Sequence, residues 1–206
     1  MTRVKVCGIT RVEDGLAAAQ AGVDAIGLVF HGASPRNVGI AQAADIVRAL
    51  PPFVSTVALF VNPEPERVQA VLTGVRPDLL QFHGEETPAF CRAFGAPYLK
   101  AVRVRAGVDL LQSATLYADS RGLLLDAWSA AAHGGTGERI DWSLIPAALP
   151  RPVILAGGLS PANVAAAVRQ VRPWAVDVSS GVEAAKGIKD AARIAAFMKE
   201  VRNADV

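Results

Sequence analysis

Residues 153–187 read VILAGGLSPANVAAAVRQVRPWAVDVSSGVEAAKG, and the rest of the chain is organised around this stretch. It contains two apolar runs, 153–156 and 175–178. The first opens onto Gly157 and Gly158, the second onto Ser179, Ser180 and Gly181, and helical spacing follows each turn. Backbone amides at small-residue turns and helix N-termini bind anions. The stretch therefore predicts one phosphate held from two sides; the alternative is two ordinary strand–helix turns.

The same strand–turn–helix alternation runs through the whole chain. Apolar runs bounded by Gly, Pro and polar residues predict eight strands: 3–7, 24–30, 53–61, 78–82, 97–104, 121–126, 152–156 and 174–178. Helical patterns follow at 10–21, 41–50, 63–74, 87–94, 108–117, a short one opening at 141–142, 161–171 and 190–201. Thr10, with Glu13 three residues later, is expected to cap the first helix as a capping box.

Strands that are apolar on both faces indicate a parallel sheet covered by helices. Strict βα alternation limits the α/β fold to a doubly wound sheet or a closed barrel, and eight units favour a compact (β/α)₈ TIM barrel. The prediction is one domain, residues 1–206. In such a barrel the active groups lie at the carboxyl ends of strands, and phosphate commonly lies at the loops after strands seven and eight. Those loops are the opening stretch.

Composition excludes several classes of function. The chain has 206 residues, 51% of them hydrophobic, and a net charge of +2 from 21 Lys and Arg against 19 Asp and Glu. No basic run supplies a nucleic-acid surface. Cys7 and Cys91 are too few for a disulfide framework or thiolate metal cluster, which predicts a reduced, intracellular protein. No apolar segment is long enough to span a membrane, so we expect a cytoplasmic location.

Two titratable side chains close predicted strands beside the phosphate loops: Cys7 ends strand one, and Asp126 ends strand six. A thiolate and a carboxylic acid can divide proton abstraction from proton donation. Side chains alternate along a strand, so Lys5 shares the face of Cys7, and Asp177 on adjacent strand eight would meet it. We therefore expect a Lys5–Asp177 ion pair beneath the site. The alternatives are a small buried hydrophobe for Cys7 and a turn residue for Asp126.

Other candidates are weaker. Arg36, in a Ser-Pro-Arg loop, could bind a substrate carboxylate or be a solvated surface residue. Gln81 and His83 end strand four on one face, with His83 at the site rim or merely structural. His31 and His133 have no partners at ligand spacing, so no metal site is predicted. The 134–137 segment, GGTG, fits neither a dinucleotide fingerprint nor a P-loop and is predicted to be a lid over Asp126.

Together the motifs resemble the phosphoribosylanthranilate isomerase family. They are KVCGIT at 5–10, SPR at 34–36, LFVN at 59–62, QFHG at 81–84, GGTG at 134–137, AGGL at 156–159 with NV at 163–164, and VDVSSGVE at 176–183 with Gly187 and KD at 189–190. They cover nearly the whole chain in order. Phe82, in place of a more usual aliphatic residue, and an alanine-rich segment at 127–133 depart from the pattern without touching a presumed catalytic position.

The resemblance implies a (β/α)₈ enzyme of tryptophan biosynthesis that converts N-(5′-phosphoribosyl)anthranilate to 1-(2-carboxyphenylamino)-1-deoxyribulose 5-phosphate, an Amadori rearrangement. It implies Cys7 as general base and Asp126 as general acid, with no cofactor and no metal. Expected substrate-binding residues are Arg36, Gln81, His83 and Asp177. Expected phosphate-binding residues are Gly134, Gly135, Gly157, Gly158, Ser179, Ser180 and Gly181. The expected partner is the small phosphorylated substrate, with no nucleic acid or membrane, and the protein is expected to be a monomer or homodimer.

Two alternatives stay open at the level of sequence. One is another phosphate-binding barrel enzyme such as indole-3-glycerol-phosphate synthase, which would leave the pairing of Cys7 with Asp126 unexplained. The other is a barrel that binds phosphate without catalysis, which predicts loss of Cys7 or Asp126, and both are present.

Overall fold

The structure, a computed structural model, describes residues 1–127 and 141–205. Eight parallel strands close into a barrel in sequence order. They are β1 (Arg3–Cys7), β2 (Ala25–Val29), β3 (Ser55–Phe60), β4 (Leu79–Phe82), β5 (Tyr98–Val104), β6 (Gly122–Ala127), β7 (Val153–Leu155) and β8 (Ala175–Val178). The helices are α1 (Val12–Ala21), α2 (Ile40–Ala49), α3 (Pro65–Gly74), α4 (Pro88–Arg92), α5 (Leu110–Leu116), α6 (Val164–Val171) and α7 (Ala191–Ala204). The predicted fold class is confirmed.

Alternation along each strand divides the apolar side chains into two layers. One set fills part of the barrel interior: Leu99, Ala101, Leu124, Ile154, Ala156 and Ala175. A larger set lies between the strands and the surrounding helices, with Phe60, Phe82, Leu125 and Phe197 among its fully buried members. The buried polar side chains on the interior face include Lys5 on β1, Gln81 on β4, Asp126 on β6 and Asp177 on β8.

Barrel closure brings the first and last strands together. Lys5 on β1 is the register partner of Asp177 on β8, and Cys7 is the partner of Gly27 on β2. A Cβ at Gly27 would lie 2.7 Å from the Cys7 Sγ and 3.1 Å from the Lys5 Cε, so only glycine leaves room for both side chains. Because Gly27 on β2 has no side chain, the side chains of Lys5 and Cys7 on β1 have room.

The structure differs from the sequence prediction in the sixth unit and after β8. The short helix predicted to open at 141–142 is present, but it is a 3-10 turn, Trp142–Leu144, with Asp141 as its N-cap. After β8, a 3-10 turn at Ser180–Val182 leads into a small antiparallel hairpin of β9 (Glu183–Ala185) and β10 (Ile188–Lys189), which was not predicted. Strands this short carry too little periodicity to be read from sequence.

The predicted Thr10 capping box is wrong. Helix α1 begins at Val12 with Arg11 as its N-cap, and no side chain caps it. The Thr10 hydroxyl instead donates to the Gly187 carbonyl at 2.5 Å. The Thr10 hydroxyl, which the local pattern assigned to the start of α1, therefore makes a tertiary contact with the β9–β10 hairpin instead.

None of the described helices combines the length and apolar character needed to cross a membrane.

Candidate active site

A buried ion pair lies beneath the carboxyl end of β1. Lys5 Nζ donates to Asp177 Oδ1 at 2.9 Å, and both side chains are less than one-tenth exposed. The predicted Lys5–Asp177 pair is confirmed. Cys7 lies above it on the same face, also buried, and its electrostatic environment is set by Lys5, Asp177 and Lys189. The ionisation of the thiol is thus influenced by two cations and one carboxylate as well as by burial.

The pKa of Cys7 is raised above its ordinary value because burial disfavours the thiolate. Lys5 is the largest opposing influence and lowers that pKa, while Asp177 adds to the increase. Burial alone would lower the pKa of Lys5, but Asp177 and Cys7 outweigh it, so its pKa is raised. Lys5 therefore stays protonated and is the main group that favours ionisation of Cys7.

A hydrogen-bonded chain of three buried side chains ends on Asp126. Gln81 Nε2 lies 3.0 Å from His83 Nδ1, and His83 Nε2 lies 3.0 Å from Asp126 Oδ2. If the Gln81 amide donates to Nδ1, the imidazole proton is on Nε2 and is donated to the carboxylate. Asp126 Oδ1 accepts from the Ala127 amide at 2.8 Å. Gln81 is fully buried beneath His83, with its Oε1 unpartnered among described residues.

The Lys5–Asp177 pair below Cys7 and the His83–Asp126 contact are electrostatically coupled across the barrel. The carboxyl of Asp177 interacts with Asp126 and His83 as well as with Lys5. The thiol side and the carboxylic-acid side of the site therefore share one interior space at the carboxyl ends of the strands, as the barrel order predicted.

Arg36 is buried, which rules out a solvated surface arginine. Its Nε and Nη2 donate to the two carboxylate oxygens of Glu183 at 2.7 and 2.8 Å. Glu183 also accepts from Lys189 Nζ at 2.9 Å. Burial alone would raise the pKa of Glu183, but the hydrogen bonds from Arg36 and Lys189 hold it below its ordinary value. Arg36 Nη1 makes no hydrogen bond within the described part of the chain.

Lys189 connects this cluster to the loop after β8. Its Nζ donates to the Ser179 carbonyl at 3.2 Å, and the Ser179 hydroxyl in turn donates to the Cys7 carbonyl at 3.0 Å. Sequence reasoning assigned roles to neither Glu183 nor Lys189. Their position in the VDVSSGVE and KD motifs was the available signal, but contacts between the loop after β2 and the hairpin cannot be read from local spacing.

The loops after β7 and β8 touch each other. Gly157 and Gly158 both have positive φ, 78° and 64°, a region that favours glycine. A Cβ at Gly181 would overlap the Leu159 carbonyl oxygen, so Gly181 allows the two loops to come together. Asn163 fixes the first loop by donating to the Gly158 carbonyl at 2.9 Å. The predicted Gly134 and Gly135 lie outside the described residues.

The profile of the family described as N-(5′phosphoribosyl)anthranilate (PRA) isomerase matches residues 4–200. The chain belongs to the PRA isomerase family. The enzyme of that name from Azotobacter vinelandii is 59% identical over 202 residues, covering 98% of this chain and 98% of the relative. The crystal structure of the Thermotoga maritima PRA isomerase matches with a TM-score of 0.89 and 42% identity, over 98% of this chain and 100% of the other.

A further solved PRA isomerase was determined in complex with reduced 1-(o-carboxyphenylamino)-1-deoxyribulose 5-phosphate. It matches this chain with a TM-score of 0.85 and 41% identity, over 98% of this chain and 100% of that one. Membership in the PRA isomerase family confirms the resemblance seen in the sequence and identifies the chain as an isomerase of tryptophan biosynthesis. It decides against the synthase and against the non-catalytic binding barrel.

No group of three or more His, Cys, Asp or Glu among the described residues is arranged to hold a metal ion.

Proposed function

We propose that the chain performs the PRA isomerase reaction by general acid–base catalysis, with Asp126 as acid and Cys7 as base. One observation carries this assignment: both groups are buried at the carboxyl ends of barrel strands, and each lies next to a side chain that controls its proton. Lys5 stands beside the thiol and His83 beside the carboxyl. Such a division of labour suits a reaction that adds a proton at one atom and removes one at another.

In the first step Asp126 donates a proton to the ring oxygen of the ribose. The bond from C1′ to that oxygen breaks, and the anthranilate nitrogen supplies the electron pair that forms the protonated Schiff base. The positive charge on nitrogen acidifies the hydrogen at C2′, which Cys7 removes as thiolate. The electrons of the C2′–H bond form the C1′–C2′ double bond while the second pair of the C1′–N double bond returns to nitrogen. The resulting enolamine becomes the ketone when C1′ gains a proton and the C2′ hydroxyl loses one. Atoms and electrons balance without an external oxidant.

His83 supplies the proton that Asp126 needs. When the imidazole carries both protons, Nε2–H faces Asp126 Oδ2 and Nδ1–H requires an acceptor. The buried Gln81 amide can present its Oε1 after a half-turn, or its NH₂ to the neutral ring, so it supports either state. This role accounts for a fully buried amide whose oxygen is otherwise unpartnered. We therefore assign Gln81 and His83 to the acid rather than to direct substrate binding.

The two ends of the substrate are held by different elements. We assign the 5′-phosphate to the loops after β7 and β8, where Gly157, Gly158, Ser179, Ser180 and Gly181 expose backbone amides between two touching turns. Gly134 and Gly135 are proposed to complete this site. In support, the solved relative in complex with reduced 1-(o-carboxyphenylamino)-1-deoxyribulose 5-phosphate contains a phosphorylated ligand.

We assign the anthranilate carboxylate to Arg36 Nη1, the part of the guanidinium that Glu183 does not use. Glu183 and Lys189 fix the orientation of the planar group, which limits the side-chain entropy lost on binding. No cofactor takes part, because the rearrangement is an internal transfer of oxidation level between C1′ and C2′.

Replacing Arg36 with Met is expected to raise KM about 10- to 100-fold, the range for a lost charge-assisted hydrogen bond, with a smaller change in kcat. Steady-state kinetics over a range of substrate concentrations measure this. Arg48→Met is the matched control, because Arg48 is exposed on α2 and, among the described residues, its ion pair is with Asp45 at 2.8 Å. Equal KM values for the two variants would contradict the assignment of the carboxylate.

The activity itself is tested by generating phosphoribosylanthranilate in situ and following the loss of anthranilate-type fluorescence. We expect turnover by the purified chain without added metal or nicotinamide. Absence of turnover under conditions where a characterised PRA isomerase is active would overturn the proposal.

Location and assembly remain predictions. We propose a cytoplasmic enzyme, consistent with the low cysteine content and with its biosynthetic reaction. It is expected to be a monomer or a homodimer; the Thermotoga maritima relative is dimeric. The side chain of Phe53 is fully exposed and would be the natural apolar contact in a dimer.

A further inference from the structure

A second buried ion pair lies outside the proposed catalytic groups. Lys100 Nζ and Glu86 Oε2 are 3.0 Å apart, and their side chains are 4% and 2% exposed. Lys100 alternates on β5 with Leu99 and Ala101, which face the barrel interior, so it points toward the outer layer. The pair therefore does not face the substrate, and the proposed mechanism does not use it.

The hydrogen bonds of this pair converge on the backbone at the carboxyl end of β4. Glu86 accepts from the Gly84 amide at 2.9 Å and from the Asn62 amide at 2.8 Å. Lys100 Nζ donates to the Gly84 carbonyl at 2.6 Å and to the Phe82 carbonyl at 3.3 Å. The residue between Phe82 and Gly84 is His83. The pair thus holds the peptide groups on both sides of the residue that contacts Asp126.

Other contacts fix the same segment. The His83 amide donates to the Phe60 carbonyl at 2.8 Å. A Cβ at Gly84 would overlap Asn62 Oδ1, so the end of β3 lies directly against this turn. With its backbone held from β3 and β5, His83 has little freedom except rotation of its side chain. The 3.0 Å contact between its Nε2 and Asp126 then depends on where that backbone is placed.

A buried ion pair is a poor source of stability, since apolar residues of similar volume often do as well or better. Most bonds of this pair go to the peptide groups on either side of His83, and one more goes to the end of β3, an arrangement that can define a geometry. We infer that Glu86 and Lys100 are positioning residues for His83 and, through it, for the acid Asp126. This inference rests on the proposed function, in which His83 controls the proton of Asp126.

The test is a double-mutant cycle on kcat. Glu86→Gln keeps the size of the side chain but replaces one acceptor oxygen with an NH₂ donor. That donor would face two other donors, the Gly84 amide and the Lys100 ammonium. We expect kcat to fall roughly 10- to 100-fold, the scale of a misplacement by about 1 Å, with little change in KM. In a His83→Asn background the same change should have almost no further effect on kcat, because the group that Glu86 positions is already gone.

Asp78→Asn is the matched control. Asp78 accepts from the Thr56 amide and hydroxyl at 2.7 and 2.8 Å, so it joins the same β3 and β4 at their opposite ends. We expect this variant to lower the melting temperature without lowering kcat in either background. The variant Glu86→Gln/Lys100→Met leaves no unpaired buried charge, and it replaces Glu86→Gln in the cycle if the single variant does not fold.

The ¹⁵N and ¹H NMR signals of the His83 imidazole provide a readout independent of activity. They should shift in Glu86→Gln and stay unchanged in Asp78→Asn. Two outcomes would overturn the positioning role and leave the isomerase mechanism intact. In one, the losses of kcat caused by Glu86→Gln and His83→Asn multiply in the double variant. In the other, the His83 NMR signals do not change in Glu86→Gln. Absence of turnover by the wild-type chain would instead refute the proposed function, and the NMR comparison would still decide where the pair acts.

Discussion

Replacing Cys7 with Ser, or Asp126 with Asn, is expected to lower kcat by about 10²-fold or more, the usual contribution of a positioned acid or base. Serine is a far weaker acid than cysteine, so its hydroxyl cannot supply a useful fraction of base at neutral pH. Asparagine can accept from the Ala127 amide as Asp126 does at 2.8 Å, but it has no carboxyl proton to donate. Both variants keep the approximate size of the side chain.

Single-turnover measurements with substrate generated in situ separate this loss from changes in binding or product release. The control for Cys7 is Cys91→Ala, because Cys91 is fully buried on α4 in the layer outside the barrel interior, and burial raises the pKa of its thiol to about 12. Asp78→Asn serves the same purpose for Asp126. Near-normal kcat in Cys7→Ser or in Asp126→Asn would refute the role of that residue.

Replacing Lys5 with Met is expected to move the pH dependence of kcat/KM to higher pH and to lower the rate at neutral pH. Cys7 must be a thiolate to act as base, so the rate rises with pH up to the pKa of the thiol. Burial already raises that pKa, and Lys5 is the strongest influence that lowers it. Without the ammonium the pKa rises further, and each added unit reduces the thiolate fraction about tenfold at a fixed pH below it.

Lys5→Met alone also leaves Asp177 buried without its partner at 2.9 Å, which costs about 3–5 kcal/mol of stability. The variant Lys5→Met/Asp177→Asn avoids that cost. Since Lys5 affects the pKa of Cys7 more than Asp177 does, the double variant should still move toward higher pH, but by less than the single one. Thiolate ultraviolet absorbance, as the difference from Cys7→Ser, measures the pKa directly. A pKa that stays the same or falls in both variants would contradict the role of Lys5.

Much of the barrel could be predicted because its signals are local. Each strand is a short apolar run with turn residues at its ends, and a period of two assigns Lys5 and Cys7 to the same face. The order of strands in a closed barrel then makes β8 the neighbour of β1, which predicted the contact between Lys5 and Asp177. The weak helix predicted at 108–117 is confirmed as Leu110–Leu116, where the Asp109 carboxylate accepts from the Gln112 amide.

Contacts between segments that are distant in the sequence could not be predicted from these local signals. Arg36 and Glu183 are 147 positions apart, and their two-point contact depends on the hairpin that follows β8. The hydroxyl of Thr10 has two possible partners, the start of α1 and the Gly187 carbonyl, and only the folded position of the hairpin decides between them. Nothing in the sequence ranks such competing partners, because their energies depend on distances that exist only after closure.

The sequence alone therefore determined the alternation of strands and helices, the end of the barrel that carries the chemistry, and the acid and base candidates. These follow from side-chain periodicity and from the rule that parallel strands present their carboxyl ends together. Only the tertiary structure decided which side chains meet there: His83 contacts Asp126, and the Glu86–Lys100 pair surrounds the backbone of His83. Hydrogen bonds act over about 3 Å, so the exact stagger and turn geometry of the closed barrel select the partners.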